Sequence, residues 1–239
     1  MIATFTALLF AHVVADFVLQ TAWINARKHR PSVMMLHGAL VLLCAQVALG
    51  QWTSPWLLAL AAAHVVIDAV KIRGGFHHLR GFLTDQAAHI ATLALLAAFV
   101  PQLWATGAWH ALPVLLPLMA LLTGLIVTLI AGQYAVALLM RPHGNRIRNN
   151  GLQDGGRQIG LLERGLIFAL ILMGQPLGVG FLIAAKSILR FGTATRDQRT
   201  AEYVIIGTLA SFGWAILTAE ATRRALDLLP PLEIAGLSP

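Results

Sequence analysis

The sequence predicts an all-α fold, a polytopic transmembrane helical bundle of about six full spans plus a broken helical hairpin. Three observations carry this. Hydrophobic residues make up 58% of the 239 and charged residues only 11%, where a soluble domain carries about 25% charged. The apolar residues gather in blocks near the ~20 residues that cross a hydrocarbon core. The basic residues lie almost wholly between those blocks, as the positive-inside bias selects.

Seven apolar blocks can be read, at 2–23, 33–50, 55–72, 82–100, 111–140, 161–191 and 201–221. Backbone polar groups inside lipid must be satisfied within the segment, so such blocks are helices. The Ala and Leu richness and the lack of strict alternation exclude a membrane β-barrel. The first block lacks a basic leader and a small-residue cleavage motif, and is expected to be a retained span. Cys44 is the single cysteine, so no internal disulfide can form. A net charge of +7 would suggest nucleic acid in a soluble chain. Here it is explained by loops and anionic headgroups, so the expected partners are membrane lipids and not nucleic acid, with self-association into a homo-oligomer left open.

Loops 25–31, 73–81 and 141–157 are basic, whereas 51–54 and 101–110 carry no charge. This alternation predicts an outside N-terminus and the basic loops in the cytoplasm. The sixth block breaks the pattern, because a single crossing would put Lys186 and Arg190 outside. The run Gly174-Gln175-Pro176-Leu177-Gly178 ends a helix. It predicts two half-length helices, 161–173 and 177–191, in a re-entrant or interfacial hairpin; a single kinked span is the alternative. The expected division is a four-helix unit at 1–100 and a second unit at 101–239, closing on a final span at 201–223.

Ionisable groups inside spans are costly and mark function by default. Here His12/Asp16, His64/Asp68 and Asp85/His89 are each four residues apart, which places both members on one helix face. His37 stands alone on the second span. Spans one and three run toward the basic loops and carry their pairs late; two and four run away and carry theirs early. All seven groups are therefore expected at one depth. Imidazole with carboxylate suits a divalent ion, zinc, manganese or iron, and no thiolate competes. The expected metal residues are His12, Asp16, His64, Asp68, Asp85 and His89. His37, Asp85 and Lys71 are expected to be catalytic, His37 as a ligand or as the proton donor to a leaving group. Lys71, Lys186 and Arg190 are candidates for holding substrate phosphate; the plainer expectation for Lys186 and Arg190 is neutralisation by Glu163 and Glu202. A hydrogen-bonded structural network is the rival to a metal site.

These motifs resemble a known family. His12-x-x-x-Asp16-Phe17-x-x-Gln20, His37-Gly38, His64-x-x-x-Asp68-x-x-Lys71 and Asp85-Gln86-x-x-His89 are similar to the N-terminal part of the bacterial membrane family called domain of unknown function 3307. The second half resembles its longer members through Leu162-Glu163-Arg164, Ala185-Lys186-Ser187 and Glu202-Tyr203. The resemblance implies a multi-pass protein of a bacterial inner membrane and names no activity. More distantly, the His/Asp arrangement is similar to inner-membrane proteins described as metal-dependent hydrolases. The expected function is a metal-dependent hydrolase or transferase acting on a phospholipid or lipid-linked phosphate at the cytoplasmic face. A divalent-cation or proton transporter and a structural or interaction protein are the alternatives. The almost purely apolar outer halves of the first four spans argue against a transport path.

Overall fold

The structure, a computed structural model, describes residues 1–144, 154–191 and 198–231. Helix α1 is Ile2–Val14, continued by a π-helical turn Ala15–Leu19. Then come α2 Ala22–Arg27, α3 Pro31–Leu49, α4 Pro55–Arg73 and α5 Leu79–Phe99. Helix α6, Leu115–Ile126, passes through a second π turn, Val127–Ala131, into α7, Gly132–Gly144. The chain continues as α8 Gly155–Leu172, α9 Pro176–Phe191 and α10 Gln198–Asp227. Local sequence sets these limits. Pro31 and Pro55 occupy first-turn positions, where a missing N–H costs nothing. Thr21 Oγ1 accepts from the Ile24 N–H to start α2, and His78 Nδ1 accepts from the Gly81 N–H to start α5. Gly50 closes α3 at φ 64°, a left-handed conformation glycine adopts without strain.

Six helices among the described residues are long and apolar enough to cross a membrane. Large apolar side chains such as Phe99, Leu58 and Leu177 lie exposed on the helix surfaces, where lipid is the only favourable solvent for them. The chain is a multi-pass helical membrane protein, as its composition predicts.

Two compact units form, Met1–Ile126 with Arg224–Pro239, and Val127–Arg223. The first unit extends past the expected limit at residue 100, because α6 packs along α1. Within it α1 packs against α3, α5 and α6, and α4 bridges α3 and α5. Ala7, Ala11, Ala45 and Ala48 line these contacts with Leu8, Leu49, Leu57, Leu60 and Leu93. Small residues let membrane helices approach closely enough to pack without a hydrophobic drive between them. This apolar core fills the half of the unit remote from the basic loops. Chain 100–114 seals it there. Thr4 Oγ1 donates to Pro101 O and accepts from the Trp104 N–H, while Trp109 Nε1 donates to Val47 O. At Gly107 an added Cβ would run into the Leu49 carbonyl oxygen. Backbone cannot swing aside as a side chain can, so Gly107→Ala is expected to cost about 1–3 kcal/mol, read by reversible unfolding in mixed micelles; an unchanged midpoint would refute the close packing.

In the second unit, α8 and α9 are separate helices broken at Gly174, which sits at φ 69° with the Gln175 N–H on Leu170 O at 2.8 Å. The expected break is therefore present, with α8 starting at Gly155, earlier than the apolar block alone suggests. The two helices pack together, and Ile167, Val179, Phe212 and Ala215 form the core of this unit. The π turn Val127–Ala131 frees carbonyls that a regular helix would use internally. Arg164, 3% exposed, takes them up: Nε donates to Thr128 O, Nη2 to Leu129 O and Nη1 to Ser211 Oγ, at 3.0–3.1 Å.

Candidate metal centre

Four helices deliver the polar groups to one place. On α1 the π turn sets Asp16: the Gln20 N–H reaches back five residues to Ala15 O at 2.9 Å. Such turns are frequent at functional sites. From α3 comes His37, wholly buried; from α4 come His64 and Asp68, and from α5 Asp85 and His89, all at most 6% exposed.

The closest set joins three of these helices. His37 Nε2 and His64 Nε2 are 3.1 Å apart. Asp16 Oδ1 lies 3.3 Å from each nitrogen, and Asp68 Oδ2 lies 3.5 Å from His37 and 3.4 Å from His64. Charged N–H···O bonds are shorter, about 2.7–2.9 Å. Each nitrogen also has at most one proton to offer to three neighbours, so hydrogen bonding satisfies the set poorly. The ligand atoms of Asp16, His37 and His64 all lie within 4.8 Å of one another, a set able to hold one cation, with Asp68 beside it. Zinc with nitrogen and carboxylate ligands has bond lengths of about 2.0–2.2 Å and tetrahedral geometry, giving ligand separations of roughly 3.3–3.6 Å. Asp16 Oδ1 is buried and has no hydrogen-bond partner, which fits the same account.

Asp85 and His89 lie beside this set. His89 stacks on His64 with ring centroids 4.0 Å apart, and its Nε2 is 3.6 Å from Asp85 Oδ1. His12 joins through its ring, 5.1 Å from that of His89, and through Nε2, which is 3.3 Å from Gln86 Oε1. Among the described residues, every buried side-chain polar atom without a hydrogen-bond partner, Thr123 Oγ1 apart, belongs to this cluster. Buried polar groups are normally paired, and a concentration of exceptions asks for an ion or water.

Two lysines complete the site. Lys71 Nζ is 2.6 Å from Asp85 Oδ2, with its side chain 25% exposed, so it stands at the rim on the basic-loop side. Lys28, a residue the sequence places in a loop, is buried and holds both Asp68 Oδ2 and Gln20 Oε1 at 2.6 Å. Its only sequence signal is Thr21, a helix-start residue; the α2 turn it begins carries Lys28 back over the bundle. All seven expected His and Asp residues thus meet in one cluster, with His37 inside the tightest set of donors. Lys186 belongs to the second unit, where it pairs with Glu163 at 2.6 Å, as the plainer expectation has it. The Arg190 side chain lies outside the described residues.

Residues 4–112 match the family described as a protein of unknown function, DUF3307. The match takes in every member of the cluster and stops before the second unit. No curated protein matches the chain, and no solved structure does.

Proposed function

We propose that this chain, whose residues 4–112 match the DUF3307 family, is a metal-dependent membrane enzyme, a hydrolase or transferase, acting on a phospholipid or other lipid-linked phosphate at the cytoplasmic face of a bacterial inner membrane. One observation carries the reading: Asp16 Oδ1, His37 Nε2 and His64 Nε2 stand 3.1–3.3 Å apart, close to the spacing of ligands around one small divalent ion, with Asp68 Oδ2 3.4–3.5 Å from both histidine nitrogens. A bound cation would supply positive charge to a phosphoryl oxygen and acidify a water. The protein's own residues do the rest. Lys71 at the rim directs an anionic headgroup inward. Asp85, held on Oδ2 by Lys71 and by Gln86 Nε2, stands next to the ion set with His89 as a ligand or general base. The sealed apolar core on the far side leaves the basic-loop end as the approach, which suits a lipid-headgroup enzyme better than a transporter.

A metal-free polar lock is the second reading, favoured by the Lys28–Asp68 and Lys71–Asp85 pairs. Elemental mass spectrometry on detergent-purified protein separates the two. The expected result is stoichiometric transition metal in the wild type, lost in His37→Ala, together with metal-dependent phosphate release from lipid phosphates. Protein purified without chelator that carries no metal, and takes none up, would overturn the enzyme reading in favour of the lock.

A further inference from the structure

Asp85 and His89 remain after the Asp16, His37 and His64 set is accounted for. His89 is 1% exposed, and neither of its ring nitrogens has a hydrogen-bond partner. Asp85 Oδ1 is likewise buried and unpartnered. Leaving each such group unsatisfied costs about 1–3 kcal/mol, so three in contact need a reason. Their separation gives one. At 3.6 Å, His89 Nε2 and Asp85 Oδ1 are too far apart to bond to each other. Two ligands of one ion at about 2.1 Å, at an angle of roughly 120°, are separated by that distance. Asp68 also offers a carboxylate oxygen within 4.8 Å of a ligand atom on each of Asp85 and His89, and a carboxylate has two oxygens with which to serve two ions.

We propose that a second divalent cation is held by Asp68, Asp85 and His89, beside the first, with Asp68 shared between them. The proposal rests on the first ion's site under the functional reading above and deepens it. The two sites differ in position. Each offers three protein ligands, the number that leaves a position for a non-protein ligand, but only the second borders the rim lysine. Lys71, on the other oxygen of Asp85, faces that position from the rim. The charges agree: two dications, three carboxylates and two lysines leave three positive charges, which attract an anionic phosphoester. The second site, next to Lys71, is therefore the one that takes the substrate's phosphate oxygen first.

The test uses full-length protein in detergent, stripped of metal and reloaded with manganese. Metal per chain is counted by elemental mass spectrometry, and the spin spectrum is recorded by electron paramagnetic resonance. Two manganese per chain with a coupled spectrum is expected in the wild type, since paired ions in such sites lie about 3.5–4 Å apart. His89→Gln and the double variant Asp85→Asn/Lys71→Met, which removes both charges at similar volume, should each keep one manganese with an uncoupled six-line spectrum. One manganese in the wild type would overturn the second site and leave the first standing. Two in both variants would overturn the assignment to Asp85 and His89. None in any protein would overturn both sites.

Discussion

Lys28→Met is expected to destabilise the metal-free protein by about 3–5 kcal/mol and to leave the metal-loaded protein close to the wild type. Lys28 and Asp68 are a buried pair at 2.6 Å, with side chains 7% and 3% exposed. Removing one member of a buried pair strands the other charge, at a cost of about 3–5 kcal/mol. If Asp68 is also an ion ligand, the cation takes over the compensation, and the loss appears only when the ion is absent. Linkage then requires the variant to bind the ion about 10²–10⁴-fold more tightly than the wild type, at 1.4 kcal/mol per factor of ten. Unfolding in mixed micelles with and without metal reads the first quantity, and competition with a chromogenic chelator reads the second. Equal destabilisation in both states would mean that Lys28, and not an ion, neutralises Asp68, which is the polar-lock reading.

The second large effect lies in the other unit. Arg164→Leu is expected to destabilise the protein by about 3 kcal/mol or more. It strands Thr128 O, Leu129 O and Ser211 Oγ in a water-poor interior, at about 1–3 kcal/mol for each unsatisfied group. Arg164→Lys should not restore it, because one ammonium cannot span three acceptors that a planar guanidinium reaches together. The readout is the unfolding midpoint of each variant; a shift equivalent to under 1 kcal/mol in Arg164→Leu would show that the π-turn carbonyls find other partners. Metal content should be unchanged in both variants, since every ion-set residue lies in residues 4–112.

Much of the site was legible in the sequence because helical periodicity is rigid. A spacing of four puts His64 and Asp68 on one face wherever the helix lies, and the order of basic and neutral loops fixes which half of each span carries its pair. His37 was legible as a candidate but not as a neighbour: nothing in a lone histidine states its distance from the next helix. Lys28 was hidden for the opposite reason. It reads as one of three basic residues in a loop, and only the short α2 turn buries it against Asp68. Arg164 carried a charge inside an apolar block, a signal of function; its partners are carbonyls released by a π turn that no residue pattern announces.

What the sequence determined by itself is the helical membrane class, the spans, the break at Gly174 and the membership of the His/Asp cluster. These follow from hydropathy, from Pro and Gly backbone chemistry and from the 3.6-residue period, all of which are local along the chain. The tertiary structure decided which atoms face one another: the close set of Asp16, His37 and His64 with Asp68 beside it, the separate Asp85/His89 pair, and the two lysines that each hold a carboxylate. It also moved the end of the first unit from residue 100 to Ile126 by laying α6 along α1. Donor separations of 3.1–3.5 Å depend on helix approach and on a single π turn at Asp16, and those are set by packing between segments distant in sequence.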